Sequence, residues 1–169
     1  MPLKRPGNLN KYTMTHTEYL RRAVTIAREG MLAGNGGPFG CVIVKDGQIV
    51  GEGSNLVTST NDPTAHAEVV AIREACRHLE TFQLEGCIVY CSCEPCPMCM
   101  GAIYWARPQQ VFYASTRYDA AAIGFDDEFI YEEIPVNPTN RKIPFENQPL
   151  AEADAVFAEW TRTINKELY

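Results

Sequence analysis

Two short stretches carry residues that could do chemistry together. The first is His66-Ala67-Glu68, and the second is the run CSCEPCPMC from Cys91, which holds four cysteines in nine residues. Pro95 disfavours helix in the residue before it and Pro97 suits a first helical position, so Cys96 is expected at a helix N-cap with Cys99 one turn later on the same face. A helix N-terminus presents unpaired N–H groups and partial positive charge, which favours thiolate over thiol. Cys96 and Cys99 alone supply half of a tetrahedral metal site, and a redox pair uses the same spacing. A lone histidine near a helix start is more often a capping or surface residue, but with HxE upstream of PCxxC His66 is the candidate third ligand. Three protein ligands with one open position are what catalytic zinc needs, and the soft donor set of two thiolates and one imidazole favours zinc among divalent metals. Glu68 is expected to stay off the metal and carry protons as general acid and base. On a regular helix residues two apart diverge, so His66 and Glu68 can converge only at a first turn. If Cys91 or Cys93 reached the metal, the fourth position would close and hydrolysis would be lost. Both are expected to be buried or loop thiols, and Cys41, Cys76 and Cys87 to be core residues.

Several elements must position these groups. HTEYLRRAVTIAREGMLAG has Leu20, Val24, Ala27 and Met31 near helical period, with Thr15 or Thr17 to start it and Gly34 to end it. CVIVK and QIVGEGSN flank Asp46-Gly47, a hairpin signal. NDPTAHAEVVAIREACRHL is expected to be helical, with Asp62 and Thr64 near its start. CIVYCS and QQVFYAS are expected as strands, and CPMCMGAIYWAR as the helix between them. The segment 119–131 has helical character, Pro135, Pro138 and Pro144 mark an irregular stretch, and 152–166 is a final amphipathic helix with Val156, Phe157 and Trp160 on its apolar side. Strands alternating with helices imply a three-layer α/β domain, its sheet mostly parallel beyond the antiparallel first hairpin.

Composition limits the remaining choices. The 169 residues suit one domain with a sizeable core, 46% hydrophobic and 21% charged. No apolar run approaches the roughly 20 residues that span a bilayer, so no membrane partner is expected. A formal net charge of −6 argues against nucleic acid as the main partner. Lys4 and Arg5 are not followed by an apolar segment, and residues 1–14 are expected to be a loose leader ahead of a domain at 15–169. Seven cysteines without an export signal fit a reducing cytoplasm.

HxE upstream of PCxxC is the signature of the zinc-dependent nucleobase deaminases. With GGPFG, NDPTAHAEV, SCEPCPMC, GAIYWARP, GFDDEFIY and a terminal tyrosine, the chain resembles the cytidine deaminase-like superfamily, and within it the small bacterial guanine deaminases, from about Glu18 to Tyr169. That resemblance implies a three-layer α/β/α fold with a mixed five-stranded sheet flanked by helices, and one zinc ion per subunit. The implied reaction is hydrolytic deamination of guanine to xanthine and ammonia. It also implies that Phe39 lies along the base, that Asn55 and a main-chain N–H near Ala67 hydrogen-bond it, and that Asp127 accepts from the purine edge. The same resemblance implies that Tyr169 closes the pocket, that Trp105 lines it less directly, and that residues 135–169 are exchanged within a homodimer. The chain departs from the family in ending INKELY rather than in a more basic run, and in carrying Cys91 where a small hydroxyl residue is expected.

Other readings stay open at this stage. A carboxylate facing guanine N1–H and the 2-amino group gains charge-assisted hydrogen bonds, but it would serve cytosine or ammeline as well. A tRNA adenosine deaminase would need a basic groove, whereas DAAAIGFDDEFIYEE is acidic. A zinc-stabilised interaction domain would close the metal shell and need no Glu68, and a redox protein would join Cys96 to Cys99.

Overall fold

The computed structural model describes residues 14–169, and the leader expected at 1–14 lies outside the described residues except for Met14. Helix α1 (His16–Leu32) starts at a capping box in which Thr15 accepts from the Glu18 N–H while the Glu18 carboxylate accepts from the Thr15 N–H at 2.7 Å. The chain then forms the hairpin β1 (Gly40–Lys45) and β2 (Gln48–Ser54), joined at Asp46 and Gly47, both with positive φ. A single turn α2 (Val57–Thr60) and helix α3 (Ala67–Leu79) lead to β3 (Cys87–Cys93). Helix α4 (Pro97–Ala106) crosses to β4 (Gln110–Ser115), followed by α5 (Arg117–Ala122), α6 (Glu128–Glu133) and α7 (Ala151–Arg162).

The sheet order is β2-β1-β3-β4. It has four strands among the described residues, not the expected five. After Ser115 the chain turns into a second capping box at Thr116 and Asp119, and from there it runs as short helices interrupted by prolines, which cannot donate to a ladder. The expectation of a mostly parallel sheet is also corrected. β1 is antiparallel to both β2 and β3, and only β3 and β4 pair in parallel. The helical crossovers return β2, β3 and β4 in one direction, and β1 is inserted between β2 and β3 against them.

Alternation along the strands feeds two cores. Cys41, Ile43, Val89 and Cys91 pack with Ala67, Ala71 and Ala75 of α3 on one face. Val42, Val44 and Tyr90 pack with Tyr19, Ala23 and Ile26 of α1 on the other, giving the expected three layers. The buried face of α1 differs from the expected stripe: Tyr19, Ala23, Ile26, Ala27 and Gly30 are buried, while Val24 and Met31 are exposed. α1 lies so close to β1 that small residues face the sheet. Gly53 permits a similar approach on the other side, because a Cβ there would collide with the Ala67 carbonyl and push the first turn of α3 off β2.

No residue beyond Ala106 is buried. The helical character expected for 119–131 is divided between α5 and α6 by Gly124, at φ 96°. The apolar side expected for the last helix is present, but Val156, Phe157 and Trp160 are exposed.

Candidate active site

His66 sits at the N-cap of α3 in an extended conformation (φ −67°, ψ 155°), and Glu68 is in the first turn. The change of backbone at the cap resolves the geometric problem of the HxE spacing, since His66 does not follow the helical rotation that carries Glu68. Helix α3 therefore starts later than Asp62 and Thr64. Asp62 instead closes the preceding turn, its carboxylate accepting from the Thr64 N–H at 2.8 Å and from the Thr64 hydroxyl at 2.7 Å. Cys96 is the N-cap of α4, Pro97 follows it, and Cys99 lies one turn on, in the places the two prolines predict.

These two helix starts meet at the end of β3. His66 Nδ1 is 3.5 Å from Cys96 Sγ and 3.5 Å from Cys99 Sγ, and ligand atoms of the three residues all lie within 4.8 Å of one another. Zinc bonds of about 2.3 Å to sulfur and about 2.0 Å to nitrogen at tetrahedral angles require an S···N separation of about 3.6 Å. The donors are thus spaced as zinc needs. Cys96 is held down to about 4 by its hydrogen bond with Cys99 and then by His66, while the Cys96 contact, burial and Glu68 push the Cys99 thiol up. His66 is raised by the Cys96 contact.

Among the described residues this is the group that could hold a metal, and it offers three ligands. Cys91 points into the core, directly opposite Cys41 in the β1–β3 ladder with sulfurs 3.9 Å apart. Cys93 donates to the Thr116 carbonyl at 3.4 Å and is pushed up to about 11, chiefly by burial. Neither closes the shell. Glu68 is 7% exposed, with Oε2 3.4 Å from Cys99 Sγ, and burial raises its carboxyl above the usual range. It stands beside the ligands without belonging to their group.

A cavity of about 570 Å³ opens over this corner. His66, Glu68 and Cys96 lie at its floor, and Phe39, Asn55 and Asp127 also line it. Asn55 is buried, accepting the Val57 N–H at 3.1 Å and donating its own backbone N–H to the Phe39 carbonyl. The glycine loop before Phe39 wraps against it, and a Cβ on Gly36 would collide with the Asn55 side chain. Phe125 meets Phe39 edge-to-face with centroids 5.0 Å apart. Asp127 is the N-cap of α6, and burial followed by the charge of Cys96 raises its carboxyl.

Three residues singled out from the sequence lie apart from this cavity. Ala67 is fully buried beneath it, at the first position of α3, where backbone N–H groups lack intrahelical partners. Trp105 is 64% exposed on α4, and Tyr169 packs against it at 5.8 Å between centroids. Both line a different depression, with Ile72, Phe82 and Ala102. Conversely, the sequence reading did not single out Arg117, Phe125, Phe129, Ile130, Glu94 and Cys93 as cavity residues. Phe125, Phe129 and Ile130 fall inside the GFDDEFIY motif, so the signal for them was present, whereas Arg117 stands in a segment with no motif.

Comparison with known proteins agrees with this geometry. Residues 13–115 match the family model for the cytidine and deoxycytidylate deaminase zinc-binding region. Guanine deaminase of Bacillus subtilis is 59% identical over 156 residues, 92% of this chain and 100% of that protein. The X-ray structure of guanine deaminase from Bacillus subtilis superposes with a TM-score of 0.90, covering 92% of this chain and 99% of that one. A tRNA-specific adenosine deaminase of Aquifex aeolicus is 37% identical over 131 residues, 78% of this chain and 84% of its own length.

Proposed function

The chain belongs to the cytidine and deoxycytidylate deaminase family with its zinc-binding region, and from that premise we propose that it hydrolyses guanine to xanthine and ammonia with one zinc ion per subunit. The observation that carries the reading is the placement of Glu68 and Asp127 on one cavity with His66 and Cys96, the two of the three candidate ligands that line it, Cys99 being buried behind them. His66, Cys96 and Cys99 would hold the zinc ion, which would supply the Lewis acidity for water to act as a nucleophile near neutral pH.

In this reading the remaining steps fall to the chain's own side chains. Glu68 takes a proton from the attacking water and hands it to the ring nitrogen beside the reacting carbon. It then takes the second proton from the added hydroxyl and passes it to the departing amine, so that the carbonyl forms as the carbon–nitrogen bond breaks. Water adds and ammonia leaves, with no redox change. Phe39, braced by Phe125, covers a face of the purine. Asn55, its oxygen engaged by Val57, offers amide N–H groups to ring acceptors. The main-chain N–H of Ala67 at the start of α3 is assigned to the base, although Ala67 itself is buried outside the cavity lining. Asp127 accepts from N1–H and the 2-amino group. Adenine lacks that pair of donors and would leave Asp127 desolvated and underpaired, a mismatch that discriminates by orders of magnitude.

The C-terminal segment has its place in the same proposal. Phe157, Trp160, Ile164 and Leu168 are all exposed, and Tyr169 rests on Trp105 away from the cavity. We assign residues 135–169 to a partner subunit in a homodimer, where Tyr169 closes the neighbouring pocket. Among the described residues no helix is long and apolar enough to cross a membrane, and the seven free thiols suit a reducing cytoplasm. The test is conversion of guanine to xanthine by zinc-loaded protein before and after chelation. One ammonia per xanthine, lost on chelation and restored by zinc, is expected. Loaded protein that forms no xanthine overturns the proposal.

A further inference from the structure

The wall of the cavity formed by α5 and α6 has no buried residue. It cannot take its position from a hydrophobic core and must be held by discrete contacts. One side chain concentrates them. Arg117, the first residue of α5, has a side chain only 22% exposed and lines the cavity. Its backbone N–H donates to the Glu94 carboxylate at 3.1 Å, two residues before the ligand Cys96. Its guanidinium pairs with Glu128 at 3.2 Å, donates to the Tyr118 hydroxyl at 3.1 Å and lies over the Tyr131 ring at 4.4 Å. Glu128 directly follows Asp127, and Tyr131 is one turn further along α6.

We propose that Arg117 is a positioning residue for substrate binding: it ties the start of α5 and the metal-bearing loop to the first turn of α6, and so fixes the Asp127 carboxylate over the cavity. This rests on the reading that Asp127 binds the base. An exposed ion pair alone would hold little, but a guanidinium between an aromatic face and a carboxylate is better anchored. Its planar group is not replaced by the point charge of lysine. A positive charge at this spot also opposes the burial that raises the Asp127 carboxyl.

The experiment measures steady-state guanine turnover for the wild type, Arg117→Ala, Arg117→Lys, Asp127→Ala and the Arg117→Ala/Asp127→Ala double variant, with zinc content and Tm for each. Arg117→Ala is expected to raise KM by roughly tenfold with kcat changed less than about twofold, and Arg117→Lys to fall between it and the wild type. In the Asp127→Ala background the Arg117 change should add nothing. Unchanged KM in Arg117→Ala, with or without a lower Tm, overturns the proposal. An equal loss in both backgrounds also overturns it, because Arg117 would then act independently of Asp127. If Arg117→Ala does not fold, Arg117→Lys alone and in the Asp127→Ala background decides by the same comparison. Wild type inert on guanine, or Asp127→Ala with wild-type KM, would sink the underlying reading instead and is visible in the same data.

Discussion

The residues up to Ala106 and those after it build the same cavity by different means. In the first part, His66 and Cys96 cap helices that lie on a sheet, Glu68 and Cys99 are buried beside them, and the cores on both sheet faces fix every backbone involved. In the second part, Phe125 and Asp127 reach the cavity from the loop between α5 and α6 and Phe129 from the first turn of α6, none of them buried, held by Arg117 and by the contact of Phe125 with Phe39. In the proposed reading the contrast divides the labour: metal and proton chemistry sit where geometry is over-determined, and base recognition sits where a few polar contacts set it. The chain's matches carry different names for their substrates, a guanine deaminase and a tRNA-specific adenosine deaminase.

The contrast can be broken at several points. Glu68→Gln should lower kcat by about 10³–10⁴ while keeping one zinc per chain and the fold, and near-normal turnover would remove Glu68 from its role. Ile43→Ala, at a fully buried position of β1, should cost about 2–5 kcal/mol of unfolding free energy; chemical denaturation checks this, and a loss as small as for Ile130→Ala in α6 would erase the difference between the two parts. Asp127→Ala should reduce kcat/KM for guanine by about 100-fold, near 2.7 kcal/mol, with zinc content unchanged. Metal loss in that variant would show that the two parts are not separable. Deleting Tyr169 should lower turnover several-fold, on the order of 1 kcal/mol in the barrier, with Tm almost unmoved. Wild-type kinetics would make the terminus a passive tail.

The site was legible where local sequence decides local structure. Pro95 and Pro97 bracket Cys96 and force it to the N-cap, so the relation of Cys96 to Cys99 could be read directly, and a histidine two residues before a glutamate supplied the rest. The hairpin at Asp46-Gly47 and the capping of α1 by Thr15 are of the same kind. Legibility ended where tertiary contacts decide. The face of α1 agrees with the expected stripe at Ala27 but otherwise differs, because close packing selects Ala23 and Gly30 over the larger Val24 and Met31. A fifth strand was expected from family resemblance, but the segments after Ser115 contain caps and prolines rather than ladder-forming runs. Arg117 carried no signal, since a lone arginine in STRYD acquires meaning only when Glu94, Glu128 and Tyr131 converge on it.

The central claim, a zinc deaminase core whose cavity wall selects guanine, is tested most directly by ranking ammonia release from guanine, adenine, cytosine, ammeline and a tRNA anticodon stem-loop by the zinc-loaded wild type. The account predicts that guanine has the highest kcat/KM, with adenine lower by orders of magnitude. Preference for the stem-loop, or no release from any of the five with one zinc bound per chain, would contradict it.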